Sequence, residues 1–216
     1  MPERMIEDQL RQEYFELLPE IRRVEAQLKA EVQYRVLPIL RDLGLHEQLV
    51  VISRVKECES AVSALRRRKY NGERRDFATF DRSKPEDYSL LHLRDLAAVR
   101  VLAFPPSRLA AIDRELLKCF PGWEPDPIPD GRGGVLAPKY YGYCPEASSR
   151  IRGEYQIVSM LTGLFWEVEH SAIYKPNPEL KGIEQNPEIR DLSRDVYQAL
   201  SRFEDGCERL VLAGDA

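Results

Sequence analysis

DLAAVRVLAF (residues 95–104) and RGEYQIVS (152–159) decide how the rest of the chain is read. Each contains a short, β-prone run, AAVRVLAF (97–104) and RGEYQIV (152–158), with Asp95 just ahead of the first and Glu154 inside the second. A strand alternates its faces, so Glu154, Gln156 and Val158 point one way while Tyr155 and Ile157 point the other. A polar pair on one face and apolar residues on the other suit a half-buried strand lining a cleft. Two carboxylates meeting across neighbouring strands can hold Mg²⁺, a hard cation that shares its shell with substrate phosphates. Such an ion neutralises charge in phosphoryl-type transfer. Spacing alone also fits an Asp95 that caps a turn and a Glu154 on an ordinary strand surface.

Two further runs read as strands, VVISRV (50–55) and VLAPKYYGY (135–143), each bounded by Gly, Pro or charge. Residues 57–69, 107–119 and 160–173 read as helices between them, the last with Leu161, Leu164, Phe165, Val168 and Ala172 on one stripe. The N-terminal third is helical, with Ile6, Leu10, Tyr14 and Leu17 at three- to four-residue intervals. The pattern continues through Ile21, Val24, Leu28 and Val32. Pro19 fits the first turn of a second helix, where its missing N–H costs nothing, and Gly44 closes the block. Residues 188–212 repeat the helical pattern through Ile189, Leu192, Val196, Leu200, Phe203 and Cys207. Residues 71–89, 121–134 and 175–187 are the expected flexible stretches. Helices, then strands mixed with helices, then helices predict one α+β domain, a central sheet with helical flanks.

With 216 residues, 43% of them hydrophobic, the chain can bury one substantial core. A net charge of −4 with 31% charged residues does not suit a general nucleic-acid binder, which is basic over its whole domain. Cys58, Cys119, Cys144 and Cys207 are scattered without metal-ligand spacing and read as free thiols in a reducing compartment. The sequence has no apolar run long enough to span a membrane, and MPERMIEDQL is too charged for a signal peptide. A cytoplasmic protein is expected.

Three other clusters could carry chemistry. Arg54 and Lys56 lie two apart at a strand end, Ser60 follows one helical turn later, and Arg66 to Arg75 hold six Lys and Arg residues. Two cations and a hydroxyl delivered toward a helix start make a workable triphosphate cradle; a solvated helix face is the ordinary alternative. In Lys139-Tyr140-Tyr141-Gly142-Tyr143 the glycine permits close backbone approach, and an aromatic beside it can stack on a base. Sheet packing alone also accounts for the tyrosines. Glu169 and His170 sit near a helix end, where the dipole favours a cationic imidazole.

Taken in order, these pieces resemble the synthetase domain of the RelA/SpoT family, which makes (p)ppGpp alarmones. The family pattern runs R-x-K-x-x-x-S, D-[LI]-x-G-[IV]-R, P-K-x-x-G-Y, E-[VI]-Q-[IVL]-R-[TS] and E-H-x-x-x-Y-K. It is matched by Arg54-Val55-Lys56 with Ser60, Asp95 to Arg100, Pro138 to Tyr143, Glu154 to Ser159, and Glu169 to Lys175. The resemblance covers roughly residues 48–176. It implies a nucleotidyltransferase-like mixed sheet as the core of a single globular unit, with helical extensions at 1–47 and 177–216.

The resemblance also implies a pyrophosphokinase. ATP would bind through Arg54, Lys56, Ser60 and Arg66, and Mg²⁺ would sit on Asp95 and Glu154, with Glu154 completing the metal shell or acting as general base. A guanine nucleotide would bind through Lys139, Tyr143, Gln156 and His170, its base on Tyr143. The same family resemblance admits another acceptor such as the tRNA 3′ end, or a catalytically silent nucleotide-binding module. Oligomeric state, effectors and any antitoxin partner are left open. Several positions depart from the pattern. The family continues G-Y-R-S-x-H, whereas Tyr143 is followed by Cys144-Pro145-Glu146-Ala147, Val158 replaces an arginine, and Ala98 replaces a glycine. Pro145 would interrupt strand pairing unless it lies at an edge or bulge.

Overall fold

The computed structural model describes residues 2–44, 47–67, 79–81, 83–129, 134–169 and 186–214. Its first element, α1 (Pro2–Arg41), is 40 residues long. Apolar residues at intervals of three or four, from Ile6 and Leu10 through Ile21 and Val24 to Val32 and Val36, are all buried. That unbroken stripe corrects the expectation of two helices. Pro19 lies inside α1 rather than at a new N-terminus. An interior proline forfeits a backbone bond at a cost of about 3 kcal/mol. Here the stripe buried on both sides of Pro19 outweighs that loss.

The strands are β1 (Gln48–Val55), β2 (Ala97–Phe104), β3 (Glu124–Pro125), β4 (Ile128–Pro129), β5 (Val135–Ala137), β6 (Lys139–Cys144) and β7 (Ser148–Ser159). Among the described residues the further α-helices are α2 (Cys58–Arg66), α3 (Leu109–Cys119), α4 (Met160–Glu169) and α5 (Pro187–Gly214). Five strands form one sheet in the order β1-β2-β7-β6-β3, and β4 pairs β5 separately. β2 runs parallel to β7, and the sheet's other pairings are antiparallel. A parallel pair needs a crossover; here α3 and the β3–β6 strands supply it.

The run expected as one strand over 135–143 breaks at Pro138, which has no N–H for the ladder. Its carbonyl still accepts a bond from the Ile157 N–H at 2.9 Å. Pro145 does not disrupt pairing, because it lies in the turn between β6 and β7, beside a register shift at Tyr143/Cys144. Part of 121–134, expected to be flexible, forms β3 and β4.

Alternation gives the sheet two different faces. Val99, Val101, Tyr155 and Ile157 join α1 and α3 in the main core. On the opposite face, Leu102, Ala137 and Val158 form a small cluster with Ile52, Met160 and Trp166. α4 packs there through Thr162 and Gly163, not through the predicted stripe: Leu164 and Val168 are exposed. A Cβ on Gly163 would lie 2.3 Å from Leu102 Cδ2 and 2.8 Å from Val158 Cγ1, so only glycine admits this approach. On α5, Leu192, Val196 and Phe203 of the expected stripe are likewise exposed, whereas Glu204 is buried and its Oε1 accepts the Leu161 N–H at 2.9 Å. Among the described residues, no helix is long and apolar enough to cross a membrane.

Candidate active site

Strand register puts the polar residues of the second face into rows. Arg54 pairs with Ala98, Ala98 with Glu154, and Glu154 with Tyr141, across four adjacent strands. The next row along holds Arg100, Gln156 and Lys139. Glu154 therefore sits mid-sheet, only 7% exposed. Burial raises its pKa above the ordinary carboxylate value and the negative charge of Asp95 raises it further, while Arg54, Lys139 and the Tyr141 hydroxyl act in the opposite direction. Asp95, just ahead of β2, is fixed by the Lys56 ammonium, whose Nζ lies 2.5 Å from Oδ2. The Lys56 N–H also bonds the Leu96 carbonyl at 2.8 Å, and its own carbonyl accepts the Tyr14 hydroxyl at 2.9 Å. The two expected carboxylates thus influence the same spot, and Arg54 and Lys56 stand beside them.

Arg54 is half-buried and makes no ion pair or hydrogen bond among the described residues. Arg100 is constrained: its Nε donates to Gln156 Oε1 at 2.7 Å, it pairs with Glu167, and its guanidinium lies 5.5 Å from the Trp166 ring centre. Burial lowers its pKa, partly offset by Glu167. A pocket of about 150 Å³ is lined by Arg54, Ala98, Arg100, Glu154 and Glu167. A second, of about 410 Å³, shares Arg54, Arg100 and Glu167 and extends to Trp166 and Tyr197. Tyr197 comes from α5 and donates to Glu169 Oε2 at 2.5 Å, so Glu169 braces α5 against α4.

At the other end of the face, Lys139 pairs with Asp126 at 3.0 Å and sits 5.2 Å from the Tyr141 ring centre. Tyr141 is buried, its pKa raised by burial and then by Glu154. Tyr143 is exposed and faces the Arg152 guanidinium, 5.2 Å from its ring centre. A cavity of about 530 Å³ opens here, bounded by Glu124, Tyr141, Tyr143 and Arg152 on one side and Cys119 and Trp123 on another.

The fold gathers Asp95, Glu154, Arg54, Lys56, Lys139 and Gln156 around one face, with Tyr143 at its margin. Ser60 lies in the first turn of α2, after the Lys56–Glu57 link. Arg66, at the other end of α2, is engaged by Glu7 and stacks over Phe80. His170 and the basic positions 68–75 lie outside the described residues. Sequence reasoning gave no role to Arg100, although alternation from Ala98 places it on the Glu154 face. No local pattern points to Tyr197, which is contributed by a helix 28 residues away along the chain from Glu169. The departures have structural meaning too. Val158 replaces a cation with a fully buried member of the apolar cluster under α4, and Ala98 sits between Arg54 and Glu154.

Among the described residues, no group of three or more His, Cys, Asp or Glu side chains forms a ready-made metal cage. Asp95 and Glu154 suit Mg²⁺, which binds one or two carboxylates and completes its shell with water and phosphate. Their mutual repulsion and the burial of Glu154 are what a divalent cation relieves.

The mixed five-stranded sheet, backed by one long helix and carrying this polar face, is the RelA/SpoT-like, nucleotidyltransferase-like fold of small alarmone synthetases. Among solved structures, small alarmone synthetase 1 from Bacillus subtilis superposes with a TM-score of 0.65 at 15% identity, covering 94% of this chain and 98% of that one. The same enzyme bound to its product pppGpp gives 0.65 at 14% identity, covering 95% of this chain and 100% of that one. A GTP pyrophosphokinase family protein from Streptococcus pneumoniae gives 0.54 at 18% identity, covering 92% of this chain and 96% of that one. At these identities the likeness is one of fold. No family model and no curated protein matches the sequence.

Proposed function

We propose that this protein is a pyrophosphokinase that moves the β,γ-pyrophosphoryl group of ATP to the 3′-hydroxyl of a guanine nucleotide. The observation that carries this reading is the row Arg54–Ala98–Glu154, with Asp95 close enough to raise the Glu154 pKa. Two carboxylates beside the Arg54 guanidinium form a site for a polyphosphate and its metal. The solved relatives are consistent with it: small alarmone synthetase 1 of Bacillus subtilis has been solved bound to AMPCPP, with a TM-score of 0.60 at 16% identity.

Arg54 and Lys56 hold the ATP phosphates, with Ser60 on the adjoining helix turn. Asp95 and Glu154 would hold Mg²⁺, which supplies neutralisation of the charge on the transferring phosphates. Glu154, its proton affinity raised by burial, is suited to take the proton from the acceptor hydroxyl. The acceptor oxygen bonds to the β-phosphorus as the bond to the α-phosphate oxygen breaks, and AMP leaves. Such chemistry depends on in-line placement and charge neutralisation more than on covalent participation. The acceptor base stacks on Tyr143, one row to one side of Glu154, while Lys139 and Gln156 stand one row to its other side.

The test is incubation with γ-labelled ATP, Mg²⁺ and, separately, GDP, GTP, ADP and tRNA. The expected outcome is one AMP released for each labelled guanine nucleotide. Label on tRNA alone refutes the acceptor assignment. Intact ATP binding without transfer to any acceptor refutes the enzymatic reading and leaves a nucleotide-binding module.

A further inference from the structure

The loop after Tyr143 lacks cations: Cys144-Pro145-Glu146-Ala147 stands where the resembling pattern places an arginine and a histidine. Two guanidinium groups from other parts of the chain approach the same place. Arg152 on β7 is the cross-strand partner of Tyr143, and its guanidinium stacks against that ring. Arg94, immediately before Asp95, lies 5.8 Å from the centre of the neighbouring Tyr141 ring. Both converge on one oxygen, Glu124 Oε2, at 3.4 Å for Arg94 and 3.2 Å for Arg152. Glu124 is itself the cross-strand partner of Tyr141 on the short strand β3.

We infer that Arg94 and Arg152 form the binding site for the 5′-phosphates of the acceptor nucleotide, with Glu124 occupying it as an internal stand-in for the phosphate. This rests on the acceptor lying beside Tyr143, as proposed above. A guanidinium pair focused on one carboxylate oxygen has the charge and donor geometry that phosphate recognition requires. The Arg94 and Glu124 side chains are half-exposed, at 50% and 52%, so the pair can open to solvent and admit a competing anion. An exposed ion pair of this kind adds little to stability, which makes exchange of Glu124 for a phosphate inexpensive. The cavity of about 530 Å³ bordered by Glu124, Tyr141, Tyr143 and Arg152 leaves room for a ligand beside Arg152 and the carboxylate that both guanidinium groups share. Arg152 lies on the same face as Glu154, two residues away, so phosphates here place a nucleotide next to the proposed reacting centre.

Equilibrium binding of guanosine, GMP, GDP and GTP to the full chain, without ATP, tests the site independently of transfer. In the wild type, affinity rises with each added phosphate. Arg94→Ala and Arg152→Ala each weaken GDP roughly tenfold or more, the expected loss of a charge-assisted contact, and leave guanosine nearly unchanged. Both variants also show a smaller dependence of GDP affinity on salt. Glu124→Gln has the opposite effect and tightens GDP severalfold, because the internal competitor is gone. Thermal melts of all three variants close to wild type exclude misfolding as the cause. The inference is overturned if guanosine and GDP weaken by the same factor, if Glu124→Gln weakens GDP, or if the wild type shows no gain with phosphate number. A wild type that shows the phosphate ladder but transfers no pyrophosphate defeats the enzymatic reading and leaves this site standing.

Discussion

Glu154→Gln should move activity and stability in opposite directions. Glutamine keeps the shape of the side chain and a hydrogen-bond acceptor but removes the charge that would hold Mg²⁺ and take a proton. Loss of one such preorganised group costs about 10²–10³ in rate, or roughly 3–4 kcal/mol of transition-state stabilisation. The folded protein gains, because Glu154 is buried mid-sheet beside Asp95 and both influences disfavour its ionised form. The pH dependence follows from the direction of the shift. A carboxyl whose folded pKa lies above the unfolded value of 4.5 binds its proton more tightly when folded. Wild-type stability therefore falls as pH rises from about 4.5 toward the raised folded value, where the unfolded chain releases the proton first. In EDTA the variant should lose that part of the slope and melt at or above the wild-type temperature at pH 8. Initial-rate transfer assays and thermal melts at pH 5 and pH 8 measure both effects. A variant with rates within tenfold of wild type, or one that melts well below it at pH 8, would refute the placement of Glu154.

Asp95→Asn should also abolish transfer, but with lower stability, since Lys56 loses the charge partner it holds at 2.5 Å; melts together with transfer rates separate it from the Glu154 variant. Arg54→Ala should weaken ATP binding roughly tenfold in calorimetry with little change in melting, because among the described residues this side chain makes no ion pair. Arg100→Ala should instead destabilise by about 1–3 kcal/mol in urea titrations, as Gln156 and Glu167 lose a donor and Trp166 loses its stacked cation. Gly163→Ala should cost about 1–3 kcal/mol, since its Cβ would lie 2.3 Å from Leu102 and force α4 off the sheet.

The elements that set the fold were legible where side-chain period and punctuation agree. AAVRVLAF became β2 over the same residues, Ala97–Phe104, and the apolar intervals of the N-terminal third became the buried stripe of α1. Pro19 misled because local propensity prices the lost backbone bond and cannot see the sheet that the stripe covers. On α4 the bulky apolar residues suggested the packed face, yet close approach selected Thr162 and Gly163 instead. In the candidate site, Arg54, Lys56 and Asp95 were readable because each sits at or beside a strand end within a short motif, and Glu154 because it alternates with apolar residues inside a strand. Arg94, Arg152 and Tyr197 were not, since their roles arise from cross-strand register and from a helix that returns over the sheet.

The order of elements has a cost during synthesis. α1 is made before the strands it packs against, and β2 and β7 are complete only about 60 and about 120 residues after its end. At about 5–20 residues per second, a forty-residue amphipathic rod stays uncovered on the ribosome for on the order of ten seconds. Throughout that interval its greasy stripe is available to holdase chaperones and to neighbouring nascent chains, so yield in the cell depends on how well that wait is protected.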